Sequence, residues 1–590
     1  MASTVMDVFR NTMNKHTGKS AICYKENGQW KAKTWLQYWN EVHQLAAALI
    51  ELGLAAGDYT AILSNNCPEW AVADLATIAC GAAPCGIYAT SSTEQCAFII
   101  NHCQAKVVFV ENEIQLKKIL QIKDQCPNLR HIVVMRESLT SNTESFVYSW
   151  QKMMLLGAPL PLDEVKARYN KAKTEDIATL VYTSGTTANP KAVMLTHSNL
   201  VWMADTVVFG DLNLQAKDVL ISYLPLSHIA EQMICLHGPI LAGTCVYFAE
   251  NFERLGDNLR EVRPTIFFGV PRVWEKIQEK MVAKASENSA FKKVVAKWSK
   301  AQGLRLLHRP EQKAKDLRFR LAEKLVYSKV KAALGLDRCR IAVTAAAPIS
   351  LNTLEFFWSL NIPIYELYGM SECTGPATLS LPGSAKVGFV GKTLSGTELQ
   401  IASDGEIIVR GAHVFKGYLH DENATKDAVD SEGWLHTGDI GEFDANGYLR
   451  ITGRKKNIII TSGGENIAPE MLENKCKSII GVAHAVVVGD QQKYLSLLIA
   501  LDPNEVQIVG KKVGSKAQNL EELAACSKYQ QYVQEEINQI NKGLARVQTI
   551  KAFSILPNDF SEETGELTPT MKVKRNFVLK KYETTIIKLY

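Results

Sequence analysis

The chain has 590 residues, 46% hydrophobic and 22% charged, with 66 Lys and Arg against 61 Asp and Glu. That length is more than one hydrophobic core supports, so two or more domains are expected. A net charge of +5 gives no case for nucleic acid as the main partner. The thirteen cysteines are scattered without a C-x-x-C pair, which argues against a disulfide framework or a zinc site and for a reducing, cytoplasmic compartment. The N-terminus lacks the apolar stretch of a secretory signal. The uncharged run 75–93 is broken by Gly81, Pro84 and Gly86, so it reads as helix, turn and strand rather than a membrane span.

From the N-terminus to about residue 169, apolar strand-like runs (60–64, 106–110, 131–135) alternate with helical ones, among them an amphipathic helix over 36–54. This is α/β patterning. Residues 138–176 are polar and read as irregular, with Glu175 leading into the next element. The run 178–182 is strand-like, and Thr196 or Ser198 suits the cap of a helix bearing Leu200, Met203, Ala204 and Val207 on one face. Between them, T-S-G-T-T-A-N-P-K reads as a phosphate-gripping loop joining strand to helix. Thr183, Ser184, Thr186 and Thr187 offer hydroxyls and backbone N–H groups, Gly185 lets the backbone come close, and Lys191 adds a positive charge. Pro190, and the lack of Ser or Thr after Lys191, exclude a Walker A loop. The same composition also suits an ordinary turn.

Further strands are expected at 219–224, 244–248, 265–268, 340–344 and 363–365, apolar enough to be parallel and buried on both faces. Two lead into unusual loops. Y-L-P-L-S-H-I-A-E-Q places His228 just beyond a strand, and F-F-G-V-P-R-V-W-E-K places Arg272 and Trp274 there. Such loops are where open α/β sheets bind ligands, although a single His or Trp also serves packing. Residues 284–331 hold fourteen Lys and Arg against four acidic residues, with Val294, Trp298, Leu317, Leu321 and Leu325 near helical spacing. These are amphipathic helices with basic faces, either solvated or suited to an anionic membrane surface.

The segment E-L-Y-G-M-S-E-C-T-G-P (366–376) reads as a polar loop in which Tyr368 can stack on a base and Glu372 is an oxygen donor suited to Mg²⁺. From 388 the pattern turns to short strands, with Asn446-Gly447 a hairpin signal, so a small antiparallel barrel or sheet is expected. Asp439 and Arg454 at strand ends suit a ribose diol, or form a simple ion pair. The remainder has its own small pattern: a helix opened by Pro469, strands at 485–488 and 495–500, a helix over 521–542, a strand at 552–556, and the basic loop T-P-T-M-K-V-K-R.

In this order, these motifs resemble those of the adenylate-forming enzymes: acyl-CoA synthetases, firefly luciferases and the adenylation domains of peptide synthetases. The combination of Y-L-P-L-S-H-I-A, G-V-P-R-V-W-E-K, E-L-Y-G-M-S-E and T-P-T-M-K-V-K-R is most similar to the bubblegum branch of long-chain acyl-CoA synthetases. The resemblance implies an α/β fold with a large N-terminal domain (1–455) of parallel-type α/β subdomains plus a small antiparallel β subdomain at about 388–453. A small mobile α+β C-terminal domain (456–590) would turn on a hinge at Lys456.

It implies that ATP is held by Thr183, Ser184, Gly185, Thr186, Thr187 and Lys191, and by Glu366, Leu367, Tyr368, Gly369, Met370 and Ser371. Asp439 and Arg454 would hold the ribose, Glu372 with Thr183 would hold Mg²⁺, and His228 would line the acyl pocket. Lys572, Lys191 and Glu372 would carry catalysis. Fatty acid, ATP and CoA are the implied partners, CoA being received near 462–467. Three departures stand out: Ala188 and Ala192 where the family usually has Gly, and Met571 where it has Gly outside the long-chain members. The two alanines motivate an alternative, a catalytically weakened lipid- or nucleotide-binding homologue. A luciferase-like oxygenase is the other.

Overall fold

The computed structural model describes residues 3–136, 144–183, 190–305, 316–568 and 571–590. An eight-stranded sheet runs in the order Gly417–Tyr418, Lys191–Thr196, Ile177–Thr183, Ala83–Ile87, Tyr59–Leu63, Val107–Val110, His131–Val134, Val147–Ser149. From Ile177–Thr183 onward its neighbours are parallel. Alternate side chains of these strands enter two different cores: Ile62, Phe109 and Val133 one, Ala61, Val108 and Ile132 the other. That explains the unbroken apolar runs in the sequence, since a parallel sheet covered on both faces has no solvent-facing set.

A five-stranded sheet places Ile266–Phe268, Ile341–Thr344 and Ile364–Met370 in parallel, then turns antiparallel through Gly375–Leu379 and Lys392–Thr393. Val219–Ser222 and Cys245–Phe248 join the N-terminal hairpin Ser20–Glu26/Gln29–Thr34 in a four-stranded sheet. The short-strand region is an antiparallel sheet of Thr397–Ile401, Glu406–Gly411, Leu435–Phe443 and Leu449–Arg454. Its turn forms as the Asn-Gly pair predicts: Gly447 takes φ +75°, and Asp444 accepts from the backbone N–H groups of Asn446 and Tyr448. Beyond the turn Lys455–Asn457, a sheet of Val482–Val488, Leu495–Leu501 and Ile550–Ile555 carries its own core with the helices Pro469–Cys476 and Ser527–Lys542. The fold is thus α/β, with a large N-terminal part and a small C-terminal one.

Four sequence expectations are corrected. Residues 138–176 are not irregular throughout: Val147–Ser149 is a strand, followed by helices Trp150–Gly157 and Asp163–Lys171. Each helix fully buries only one or two side chains, so neither carries a long apolar periodicity. The phosphate loop does not lead straight into a helix; the strand Lys191–Thr196 intervenes, antiparallel to Ile177–Thr183, and Thr196 then caps the helix His197–Met203. The strand expected to stop at Tyr365 continues to Met370, leaving only 371–374 as the connection to Gly375–Leu379. A Cβ on Gly369 would lie 1.9 Å from the Gly375 carbonyl oxygen, so this glycine serves backbone approach rather than loop freedom. The helix expected over 521–542 is two, Leu520–Ala524 and Ser527–Lys542, broken at Ala525–Cys526. No helix among the described residues is long and apolar enough to cross a membrane.

Candidate active site

The antiparallel register of Ile177–Thr183 with Lys191–Thr196 sets Thr183 opposite Lys191. Both ends of the phosphate loop are therefore fixed side by side at the end of the eight-stranded sheet. Ser184, Gly185, Thr186, Thr187 and Ala188 lie outside the described residues. Ala192 is buried in the strand, paired with Tyr182, and its φ is not left-handed. An alanine methyl costs nothing in extended backbone, so Ala192 in place of glycine brings no backbone strain.

Lys191 Nζ stands 4.7 Å from the ring centroid of Tyr418, and the Tyr418 hydroxyl donates to Glu372 Oε1 at 2.8 Å. Glu372 follows the strand that carries Tyr368, in a short turn buried against Phe415, whose N–H donates to the Glu372 carbonyl at 2.8 Å. Burial raises the Glu372 pKa, against the pull of the Tyr418 hydroxyl and the Arg454 charge. Tyr418 escaped the sequence reading because it lies 46 positions from Glu372 in an unremarkable F-K-G-Y-L segment. Only the edge pairing of Gly417–Tyr418 onto Lys191–Thr196 brings it in.

Asp439 and Arg454 face each other across the hairpin Leu435–Phe443/Leu449–Arg454. Arg454 Nε donates to Asp439 Oδ1 at 2.7 Å, and the Tyr368 hydroxyl donates to Asp439 Oδ2 at 2.8 Å. Both carboxylate oxygens are therefore engaged, which anchors Tyr368 by its hydroxyl and fixes the guanidinium by its Nε. Burial, then the Asp439 charge, pushes the Tyr368 phenol up. Of the other residues in this segment, Ser371 is buried, and Glu366 Oε2 accepts from Gly388 N–H at 3.1 Å with its pKa raised to about 8 by burial. Leu367 and Met370 pair with Leu379 and Gly375 across the strand.

Lys572 enters from the C-terminal part. The bridge between Leu567 and Val573 closes a tight loop, with Lys572 N–H donating to Thr568 Oγ1 and Thr568 N–H to the Lys572 carbonyl. Met571 sits at φ +61°, the left-handed region where glycine is the low-cost residue. In the strand-end segment A-A-A-P, Ala346 likewise takes φ +74°. Side chains held there mark strain that the surrounding structure enforces, a feature concentrated at functional sites. Burial and the Arg454 charge lower the Lys572 pKa to about 8, while Asp439 and Glu372 oppose this. His228 Nδ1 accepts from Ala230 N–H at 3.2 Å, capping a helical turn, and burial followed by the Lys572 charge takes its pKa to about 4. His228 is therefore neutral beside Lys572. One ammonium, one guanidinium, two carboxylates and a neutral imidazole thus converge from four separate segments, a set suited to binding polyanions and to charge developing on phosphate. Arg575, the last residue of T-P-T-M-K-V-K-R, instead bonds Glu473 and the Val487 carbonyl and holds the last helices in place.

Comparison with known proteins agrees with this geometry. Residues 9–419 match the AMP-binding enzyme family and residues 456–590 match the AMP-binding enzyme C-terminal domain. Over its whole length the chain is 40% identical to the long-chain-fatty-acid–CoA ligase ACSBG2 of Xenopus laevis, covering 84% of that protein. It is 38% identical to ACSBG1 of Bos taurus, covering 85%. The anthranilate CoA ligase AuaEII, solved with anthranoyl-AMP, superposes with a TM-score of 0.76 at 19% identity, over 99% of this chain and 98% of that one. ATP-bound MatB of Rhodopseudomonas palustris gives 0.71 at 20% identity, over 98% and 99%. The chain belongs to the AMP-binding enzyme family.

Proposed function

We propose that the chain is a long-chain fatty acid:CoA ligase. A fatty carboxylate oxygen attacks the α-phosphorus of ATP, the bond to pyrophosphate breaks, and an acyl-adenylate forms. The CoA thiolate then attacks the acyl carbon and AMP leaves. The observation that carries this reading is Lys572, delivered from the C-terminal part into the charge cluster of Arg454, Asp439 and Glu372. The family membership and the long-chain-fatty-acid–CoA ligase names of the relatives support it.

In this reading Lys572 bridges the attacking carboxylate and the α-phosphate. Lys191 and the loop hydroxyls take the leaving phosphates, and Asp439 with Arg454 fixes the ribose. No protein nucleophile is needed. Neutral His228 lines the acyl entrance without adding charge. Mg²⁺ suits Glu372 and Thr183: Glu372 is a buried carboxylate whose ionised form burial disfavours, so a cation beside it would stabilise its charge, and Mg²⁺ is commonly held by one or two carboxylates together with substrate phosphates. When bound it neutralises phosphate charge. Lys572 and a CoA channel cannot occupy one pocket together, so the C-terminal part turns at Lys456, within the turn Lys455–Asn457, between the two steps.

Purified protein with ATP, Mg²⁺ and palmitate is expected to release pyrophosphate with CoA-dependent turnover. Silence with palmitate, stearate and a very-long-chain acid from folded protein would overturn the ligase reading in favour of the lipid- or nucleotide-binding one.

The basic helices supply a collection surface for the fatty acid. In the structure three of their apolar residues face outward: Phe291 and Leu317 are each 76% exposed and Val294 is 66% exposed. They project among Lys292, Lys293, Lys297, Arg318 and Arg320 along the helices Ala290–Arg305 and Leu317–Ala322. Apolar side chains amid lysine and arginine fit the interface of an anionic membrane. Flotation with anionic liposomes is expected to recover the protein, and a variant with Lys292, Lys293 and Lys297 changed to Glu is expected to lose most of that binding. Equal recovery of the two would end the proposal.

A further inference from the structure

Arg272 belongs to neither the nucleotide cluster nor the acyl entrance, yet its guanidinium reaches from the N-terminal part to the C-terminal one. It is the second residue of the helix Pro271–Ser286, just beyond the strand Ile266–Phe268. Its Nη2 donates to Asp502 Oδ2, across the seam between the two parts. Its Nη1 lies 3.3 Å from Glu279 and 3.7 Å from Glu275 on its own helix.

Asp502 ends the central strand Leu495–Leu501 of the C-terminal sheet. Its side chain is only 3% exposed, and its Oδ1 accepts from the backbone and side-chain nitrogens of Asn504. Arg272 also acts on groups from the two other strands: His484, within Val482–Val488, and Asp559, just after Ile550–Ile555. The Asp559 segment runs on into the loop that presents Lys572.

The seam is short of positive charge. Glu275, Glu279, Asp502, Glu505 and Asp559 surround one guanidinium, with Lys477 acting on the far side through His484. Burial, reinforced by Asp502, holds Glu279 at about 7, and burial holds Asp559 at about 6. Without the guanidinium, carboxylates on the two parts face each other unopposed.

We propose that Arg272 is a positioning residue whose ion pair with Asp502 latches the C-terminal part in the arrangement that inserts Lys572, and so sets the fraction of enzyme ready for adenylation. The proposal rests on the two-step reading above. The latch is built to be released: it is an ion pair set among repelling carboxylates. It therefore favours the first half-reaction and has no part in the second.

Three variants test it: Arg272→Ala, Asp502→Asn, and the charge-swapped double variant Arg272→Asp/Asp502→Arg. Acyl-adenylate formation, followed as ATP–pyrophosphate exchange, is expected to fall about tenfold or more in each single variant. Thioester formation from supplied acyl-adenylate and CoA is expected to stay within about twofold, and the double variant to recover most of the lost exchange. Spin labels at the exposed positions 51 and 551, introduced as unnatural amino acids because of the thirteen native cysteines, read the arrangement without activity. The native protein is expected to give one dominant distance and Arg272→Ala a second population. Loss of both half-reactions together, or of neither, or an unchanged distance distribution in Arg272→Ala, overturns the latch. If the native protein forms no adenylate with any fatty acid, the ligase reading has failed, and the distance distribution alone still decides the latch.

Discussion

Changing Lys572 to alanine is expected to lower acyl-adenylate formation by roughly 10²–10³-fold, the range seen when one preorganised donor to developing charge is removed. Conversion of supplied acyl-adenylate by CoA should be spared. The split follows from where the side chain sits: Lys572 reaches the cluster of Arg454, Asp439 and Glu372 only in the arrangement described here. Equal loss in both half-reactions would remove Lys572 from the chemistry of the first step.

A pH dependence follows with a definite sign. The Lys572 pKa is lowered from 10.5 to about 8, chiefly by burial, and the charged form is the one that bridges two anions. Adenylation measured as kcat/KM should therefore fall as pH rises through about 8, and the limb should vanish from any residual activity of the alanine variant. The stability sign is opposite. Between pH 8 and 10.5 the unfolded chain binds more protons at this lysine than the folded one, so the ligand-free fold gains stability with rising pH across that window. The shift corresponds to roughly 3 kcal/mol of disfavoured charge in the empty site. Lys572→Met should accordingly unfold at or above the native temperature near pH 7, while losing adenylation. A large drop in its melting temperature would mean that the lysine holds the fold rather than the reaction.

The second large effect is expected at Asp439. Changing it to alanine removes the acceptor of both the Tyr368 hydroxyl and Arg454 Nε. Unpairing a buried charged network costs about 3–5 kcal/mol. The Arg454 side chain is 56% exposed and regains water, so a smaller cost of about 2 kcal/mol, that of an unpaired buried polar group, is expected here. The KM for ATP should rise by about two orders of magnitude if the ribose hydroxyls depend on this pair. Asp439→Asn keeps an acceptor for Tyr368 but loses the charge facing Arg454, and should fall between the two. Denaturant unfolding and ATP titration measure both effects, and a native KM in Asp439→Ala would remove the pair from nucleotide binding.

Much of this was written in local patterns. Parallel strands sit almost where apolar runs of three to six residues place them, because such strands are buried on both faces and admit few polar side chains. Thr196 as a helix cap and Asn446-Gly447 as a hairpin turn were equally legible, since a capping hydroxyl and a left-handed glycine act within a few residues. The elements that went unread, helices Trp150–Gly157 and Asp163–Lys171 and the strand Lys191–Thr196, bury little surface or take their partner from elsewhere. An antiparallel edge after a Gly-rich loop has no signal of its own until its neighbour is in place.

The site divides in the same way. The resemblance of the motifs, in chain order, to those of adenylate-forming enzymes grouped Lys191, Tyr368, Glu372, Asp439, Arg454 and Lys572 as one set, and the structure carries four of them on strands. That Tyr418 joins Lys191 to Glu372, that Ala192 is unstrained, and that Arg272 reaches Asp502 across the seam were decided by tertiary structure alone. Each depends on segments tens to hundreds of residues apart, and a sequence specifies the chemistry of a side chain locally while its partner is chosen only when the sheets pack.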